Sequence, residues 1–363
     1  MTRSPNSAPV ATVDHIILLV PHVTLLNLPS WLTSSFTVLP GGRHADGLTE
    51  NSLVLFRDGV YLELVAFMPS ASPPGLQQHQ QKERTSHRWG ARKEGTIVDW
   101  AVTASSEGEL NTVRDRVAEK NRAALGGGHG GYHLRYSDPI PGGRTKPDGT
   151  QVRWVLSNPV VTMSWLGGGG GDDDDGSGGK VTSGEGEAPF WCLDKTPREV
   201  RVPYKSTTDS GEEVARHPSG ALGVAKVVIT VRGGGAGHGG TDSKAEGTWR
   251  GLKEVYDGLY GVEGVEVEDS ESGDGTGHGR WKAYQWPFTV PDEEIAGTVG
   301  KTAERVVVLR IVAGGDMDEA KEASQDVSVD IQLALFSDSR DGIVGGELGG
   351  EDGERIEFEL VKV

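Results

Sequence analysis

Two ionisable residues sit in segments that otherwise read as apolar strand. Val13, His15, Ile17 and Leu19 alternate onto one face of VDHIILL, and Tyr61, Glu63, Val65 and Phe67 do the same in YLELVAF. A carboxylate among apolar neighbours is destabilising by several kcal/mol unless a partner compensates it. The sequence offers two kinds of partner. His15 and Glu63 can form a hydrogen-bonded structural pair, or both can ligate a divalent ion. Imidazole and carboxylate suit Zn, Fe, Mn or Ni and do not choose among them. Glu63 also has the character of a catalytic base, since burial raises a carboxylate's pKa toward neutrality. It cannot be a firm metal ligand and a free base in one step.

Other residues could extend such a site. His44 lies in a Gly-rich connection and His217 in a His-Pro-Ser-Gly turn; each is a candidate metal ligand or simply a turn residue. Asn51 heads a strand, where its amide caps a turn or faces a pocket. Arg144, Arg153 and Trp154 flank a Pro-Asp-Gly turn. A hairpin accounts for the turn, and an arginine beside a tryptophan suits an anionic or planar ligand. There is no Gly-x-Ser-x-Gly elbow, His-Glu-x-x-His helix or phosphate-binding Gly-Lys-Ser/Thr loop.

The elements that would carry these residues repeat. A first unit spans about 13–68, with a short helix near Val23–Leu32 that contains Pro29. A second, about 97–203, opens with IVDWAVTA. A capping-box pattern at Ser106 and Glu109 follows, then Leu110, Val113 and Val117 at helical spacing. Strands are expected around Tyr132, Val152–Leu156 and Phe190–Leu193. A third, divergent unit occupies 220–363, with a stripe of Trp249, Leu252, Tyr256 and Leu259 on its helix. The expected fold class is α+β: repeated β-α-β-β-β modules whose curved mixed sheets surround a cleft. The acidic, Gly-rich tract 167–188 reads as a disordered loop.

VDHIILLV, GGRH, the Gly47-x-Thr49-x-Asn51 run and YLELVAF together resemble the glyoxalase-like domains of the vicinal oxygen chelate superfamily. RTKPDGTQVRW, PFWCLDKTPREVRVP and HPSGALGVAKVVI continue the resemblance over residues 11–231. It implies a divalent metal between paired modules, held from the first and last strands of each, with His15 and Glu63 in the slots of module one. The partner slots depart from the pattern. Aligning VDHII with VDWAV puts Trp100 opposite His15, and aligning it with VAKVV puts Lys226 there. Gln332 stands against Glu63 from the third module, and Trp191 or Cys192 from the second. Two protein ligands fall short of the usual three of catalytic zinc. The resemblance therefore implies either metal-dependent lyase, isomerase or dioxygenase chemistry on a small carbonyl or oxygen-rich compound, or a non-catalytic protein that sequesters a small molecule. A module kept for protein contacts is a third reading.

Composition narrows the partners. The net charge of −17 argues against nucleic acid and anionic membrane surfaces. No segment approaches the ~20 apolar residues of a membrane helix. A single cysteine, Cys192, excludes an intramolecular disulfide and fits a reducing, cytoplasmic setting. Nothing in the sequence fixes the oligomeric state.

Overall fold

The computed structural model describes residues 10–69, 83–124, 131–164, 180–208, 210–233, 243–267, 282–292, 304–312, 327–349 and 355–363. In the first module, β1 (Thr12–Leu19) leads through helices α1 (His22–Leu26) and α2 (Ser30–Ser35) to β2 (Leu39–His44), β3 (Thr49–Leu55) and β4 (Tyr61–Phe67). The single helix expected near Val23–Leu32 is two. Pro21 and Pro29 stand at the N-caps of α1 and α2, where a residue without an N–H sacrifices no helical bond.

The second module runs β5 (Thr96–Thr103), α3 (Glu107–Ala124), β6 (Gly131–Tyr136), β7 (Ile140–Thr145), β8 (Gln151–Ser157), β9 (Pro159–Ser164), β10 (Lys180–Ser183), β11 (Phe190–Asp194) and the single turn α4 (Arg198–Arg201). Ser106 caps α3, its Oγ accepting from the Glu109 N–H at 3.2 Å, and the Glu109 carboxylate reaches one residue past the cap to accept from the Ser105 N–H at 3.1 Å. Leu110, Val113 and Val117 bury the inner stripe of α3, contributing roughly 1.5–3 kcal/mol each.

Eight strands close into a barrel in the order β1-β4-β3-β2-β7-β8-β11-β5. The side chains inside it line the cleft. β10, β9 and β6 form a separate small sheet. The expected disorder of 167–188 does not extend to its C-terminal part. β10 pairs with β9, Tyr132 Oη donates to the Glu187 carboxylate at 2.8 Å, and the Gly186 N–H donates to Asp99 at 3.3 Å. Residues 167–179 lie outside the described residues.

Past residue 220 the described elements follow a β-α-β-β-β order: β12 (Ala221–Arg232), α5 (Ser243–Tyr260), β13 (Val265–Val267), β14 (Lys282–Pro287) and β15 (Val306–Val312). They are followed by β16 (Ser328–Ser337), β17 (Gly342–Glu347) and β18 (Arg355–Lys362). Their sheet, β13-β14-β15-β12-β16-β18-β17, repeats the barrel order and stops one strand short. β12 runs parallel to β15 and antiparallel to β16, as β1 does to β4 and β5. Among the described residues past 220, the strand order of the barrel thus recurs in an open sheet of seven strands. The halves meet where Trp100 packs on Tyr256, ring centroids 6.2 Å apart. At the β3–β4 turn, buried Asp58 accepts from the Val224 N–H and from Arg305 Nη1, each at 2.9 Å.

Candidate functional site

A cleft of about 810 Å³, mouth included, opens inside the barrel. His15, His44, Tyr61, Glu63, Arg88, Arg144, Trp154, Phe190 and Cys192 are among the side chains that line it.

Glu63 is its polar centre, 6% exposed. One oxygen, Oε1, accepts from Asn51 Nδ2 at 2.5 Å and faces His44 Nε2 at 3.2 Å. The other, Oε2, lies 3.4 Å from His15 Nε2. Burial alone would raise the pKa of Glu63. The His44 hydrogen bond, the charges of both imidazoles and the Asn51 amide outweigh it, holding the carboxyl down at about 2. Glu63 is therefore a carboxylate at neutral pH and not a base poised near 7.

Local sequence explains this geometry. Gly41 leaves the space that Asn51 fills, since a Cβ there would overlap the amide. Gly42 has φ +143°, in the region that favours glycine, and packs on the backbone of Thr145. The GGRH sequence thus brings β2 close to β3 and β7 and carries His44 into the cleft, where Thr49 Oγ1 meets its Nδ1 at 2.7 Å.

His15 is held from the opposite side. The β1–β5 register shifts between Val13 and His15, a bulge at Asp14. Asp14 Oδ2 therefore reaches the Nδ1 of its own sequence neighbour at 2.9 Å. Tyr61 stacks on the imidazole at 4.7 Å and Phe190 approaches it edge-on at 5.4 Å. Two arginines of α4 neutralise Asp14: Arg198 at 2.6 Å and Arg201 at 3.0 Å. Burial would raise the pKa of Asp14, but these guanidinium groups and His15 hold it well below the ordinary carboxylate range.

The structure sorts the sequence-derived candidates. His15, His44, Glu63, Arg144 and Trp154 meet in the cleft. Asn51 does not line it; its amide holds Glu63 and accepts from Arg144 at 3.5 Å. Arg153 is exposed on the outer face of β8. His217 is elsewhere, so it is no ligand of this site. Its Nδ1 accepts from the Thr37 N–H at 3.1 Å, its Nε2 donates to the Leu55 carbonyl at 3.0 Å, and Phe36 and Phe56 enclose the ring. Burial pushes its pKa down to about 4, a neutral histidine serving the fold.

The partner slots also change. A second register shift, between Ile17 and Leu18, places a matching bulge in β5 at Val98. Superposing the two bulges makes Asp99, not Trp100, the counterpart of His15, and Phe190 the counterpart of Glu63. Trp100 faces the helices. Asp99 is taken up by Arg88 at 2.5 Å and Trp89 Nε1 at 2.9 Å, and the Arg88 guanidinium lies 4.4 Å over Phe190. Lys226 and Gln332 belong to the second sheet and do not line the cleft. Of the two residues weighed in β11, Trp191 points into the core and Cys192 into the cleft.

Among the described residues, Asp14, His15 and Cys192 form a set of three candidate metal donors within 4.8 Å of one another. Asp14 is committed to its arginines and burial pushes the Cys192 thiol up. His15 Nε2 and Glu63 Oε2 face each other in the cleft, 3.4 Å apart. Sequence reading missed Asp14, Tyr61 and Arg201. A strand of strict alternation would point Asp14 away from His15, and only the bulge joins them.

The profile of the glyoxalase-like domain family matches residues 13–237, and the chain belongs to that family. No curated protein sequence matches the chain. Among solved structures, it is similar to a hypothetical protein from Staphylococcus aureus at 12% identity, covering 97% of this chain and 100% of that one, with a TM-score of 0.49. It is similar to BphC, a halotolerant catechol dioxygenase, at 8% identity, covering 98% and 88%, with a TM-score of 0.36. Glyoxalase I from Zea mays matches at 12% identity, covering 97% and 92%, with a TM-score of 0.25. Among the described residues, no helix is long and apolar enough to cross a membrane.

Proposed function

We propose that this protein binds a small carbonyl or oxygen-rich compound in the barrel cleft and acts on it with the help of a divalent cation held by His15 and Glu63. The observation that carries this reading is the 3.4 Å approach of His15 Nε2 to Glu63 Oε2. Two donors sharing one cation at bonds of ~2.1 Å and a tetrahedral angle lie roughly 3.4 Å apart. The donor chemistry also fits, because Glu63 is ionised and His15 has its other nitrogen bonded to a carboxylate. A cation there would polarise an oxygen pair on the compound and stabilise the anion formed from it, which serves lyase, isomerase or dioxygenase chemistry.

The chain's own residues do the rest. Asn51 and His44 hold Glu63 Oε1, so the second oxygen keeps one orientation. Trp154, Trp89 and Phe190 supply flat apolar walls that keep water from the polar centre. Arg144, buried beside Glu63, adds fixed positive charge. The single cysteine supports a reducing, cytoplasmic setting.

Metal content of the purified untagged protein, by mass spectrometry, tests the reading. The expected result is near-stoichiometric metal that His15→Ala loses. Absence of metal after incubation with zinc, iron, manganese and nickel would overturn it.

A further inference from the structure

We infer that the compound taken up by the cleft carries a carboxylate on a flat apolar body, and that Arg144 receives the carboxylate. This deepens the reading above, since it concerns the same cleft, but it stands on the arginines and the walls and requires no cation. Three arginines line the cleft: Arg88, Arg144 and Arg201. Arg88 is paired with Asp99 at 2.5 Å, and Arg201 with Asp14 at 3.0 Å and Asp194 at 2.5 Å. Arg144 is buried, 4% exposed, and has no carboxylate within ion-pair distance among the described residues. Its Nη2 donates to the Arg201 carbonyl at 2.8 Å, its Nη1 makes only a long bond to Asn51 Oδ1 at 3.5 Å, and its Nε is buried without a partner. Glu63 acts on Arg144 through space alone, its oxygens being turned to Asn51, His44 and His15. A guanidinium kept from water with no countercharge is unfavourable, and an anionic ligand removes that penalty as it binds. The anion that matches one planar guanidinium is a carboxylate.

β7 clears the approach. Gly142 and Arg144 share one face of the strand, and Gly142 and Gly143 present bare backbone to the cleft. Trp154 stands opposite Gly142 in register, and its indole occupies the space that a Cβ at Gly142 would take. The indole and the guanidinium therefore belong to one wall. A conjugated body lying on Trp154 would present a carboxylate attached to it to Arg144, and Phe190 and Trp89 add further apolar surface to the cleft.

The test titrates chelator-treated, full-length protein by calorimetry with benzoylformate and with its methyl ester, which keeps the flat body and the oxygen pair but has no charge. The acid should bind about 10–100-fold more tightly, the range for hydrogen bonds to a charged partner. Arg144→Met should abolish that preference and leave the affinity for the ester unchanged. Arg144→Lys, which keeps the charge without the fork, should retain part of it. Equal wild-type affinity for acid and ester would overturn the inference, as would no binding of the acid at millimolar concentration, whether or not Arg144→Met folds. A folded Arg144→Met that keeps the preference would also overturn it, and so would one that weakens both compounds alike, the result of a merely structural role. Metal content decides the reading above and the preference for acid over ester decides this one, so either can fail alone.

Discussion

Glu63→Gln isolates the electrostatics of the cleft. In the folded chain the Glu63 carboxyl is held at about 2, against 4.5 for an unperturbed glutamate. A folded pKa below the unfolded one means that the group's contribution to stability is fully present above 4.5 and is lost as pH falls toward 2. At about 1.4 kcal/mol for each pH unit of displacement, the contribution is on the order of 3 kcal/mol, of which about 2 should be gone by pH 3. Glu63 is buried, so solvent screening takes little of it. Glutamine cannot ionise. The stability difference between wild type and Glu63→Gln should therefore shrink by about 2 kcal/mol between pH 6 and pH 3. Urea unfolding of both chelator-treated proteins at several pH values measures it, and taking the difference cancels all other carboxylates that the two share. A difference that stays flat to within about 0.5 kcal/mol would show that the imidazoles and Asn51 do not hold Glu63 ionised.

His217→Ala should leave metal content at the wild-type value while lowering stability by about 2–3 kcal/mol, because the Thr37 N–H and Leu55 carbonyl lose their partner. The neutral His217 of the wild type stabilises fully above pH 6.5 and less as pH falls toward 4, so the penalty measured by urea unfolding should narrow in that window. Gly142→Ala would drive a Cβ into the Trp154 indole, in the cleft wall. It should shift the tryptophan fluorescence and destabilise the fold by roughly 1–3 kcal/mol, the usual range for overpacking.

Alternation alone made His15 and Glu63 legible, because an ionisable residue on a buried face stands out against Val13, Ile17, Val65 and Phe67. What strict alternation hid was the bulge. It turns Asp14 toward His15 and moves the counterpart of His15 from Trp100 to Asp99, a one-residue change that exchanges the two faces of the strand. Asn51 could be placed at a strand start, but the space Gly41 leaves for its amide is a three-dimensional fact. His217 and Arg201 show the limit from both sides. The first looked like a donor because of its residue type, yet its two nitrogens bond distant backbone. The second sat unremarked in TPREVRVP, and only the closing of the barrel brings it behind β1 and β4.

The contacts of Asp58 bear on how the chain comes apart. The family profile ends at residue 237, while the turn leading into the strand of Glu63 is gripped by Val224 and by Arg305 from beyond that limit. A chain cut at 237 would keep the buried carboxylate and lose its countercharge, which typically destabilises by about 3–5 kcal/mol. The family boundary is therefore no seam for unfolding. Both halves should melt in a single transition, and the open sheet, which adds no side chain to the cleft, acts as the clasp that keeps the β3–β4 hairpin shut.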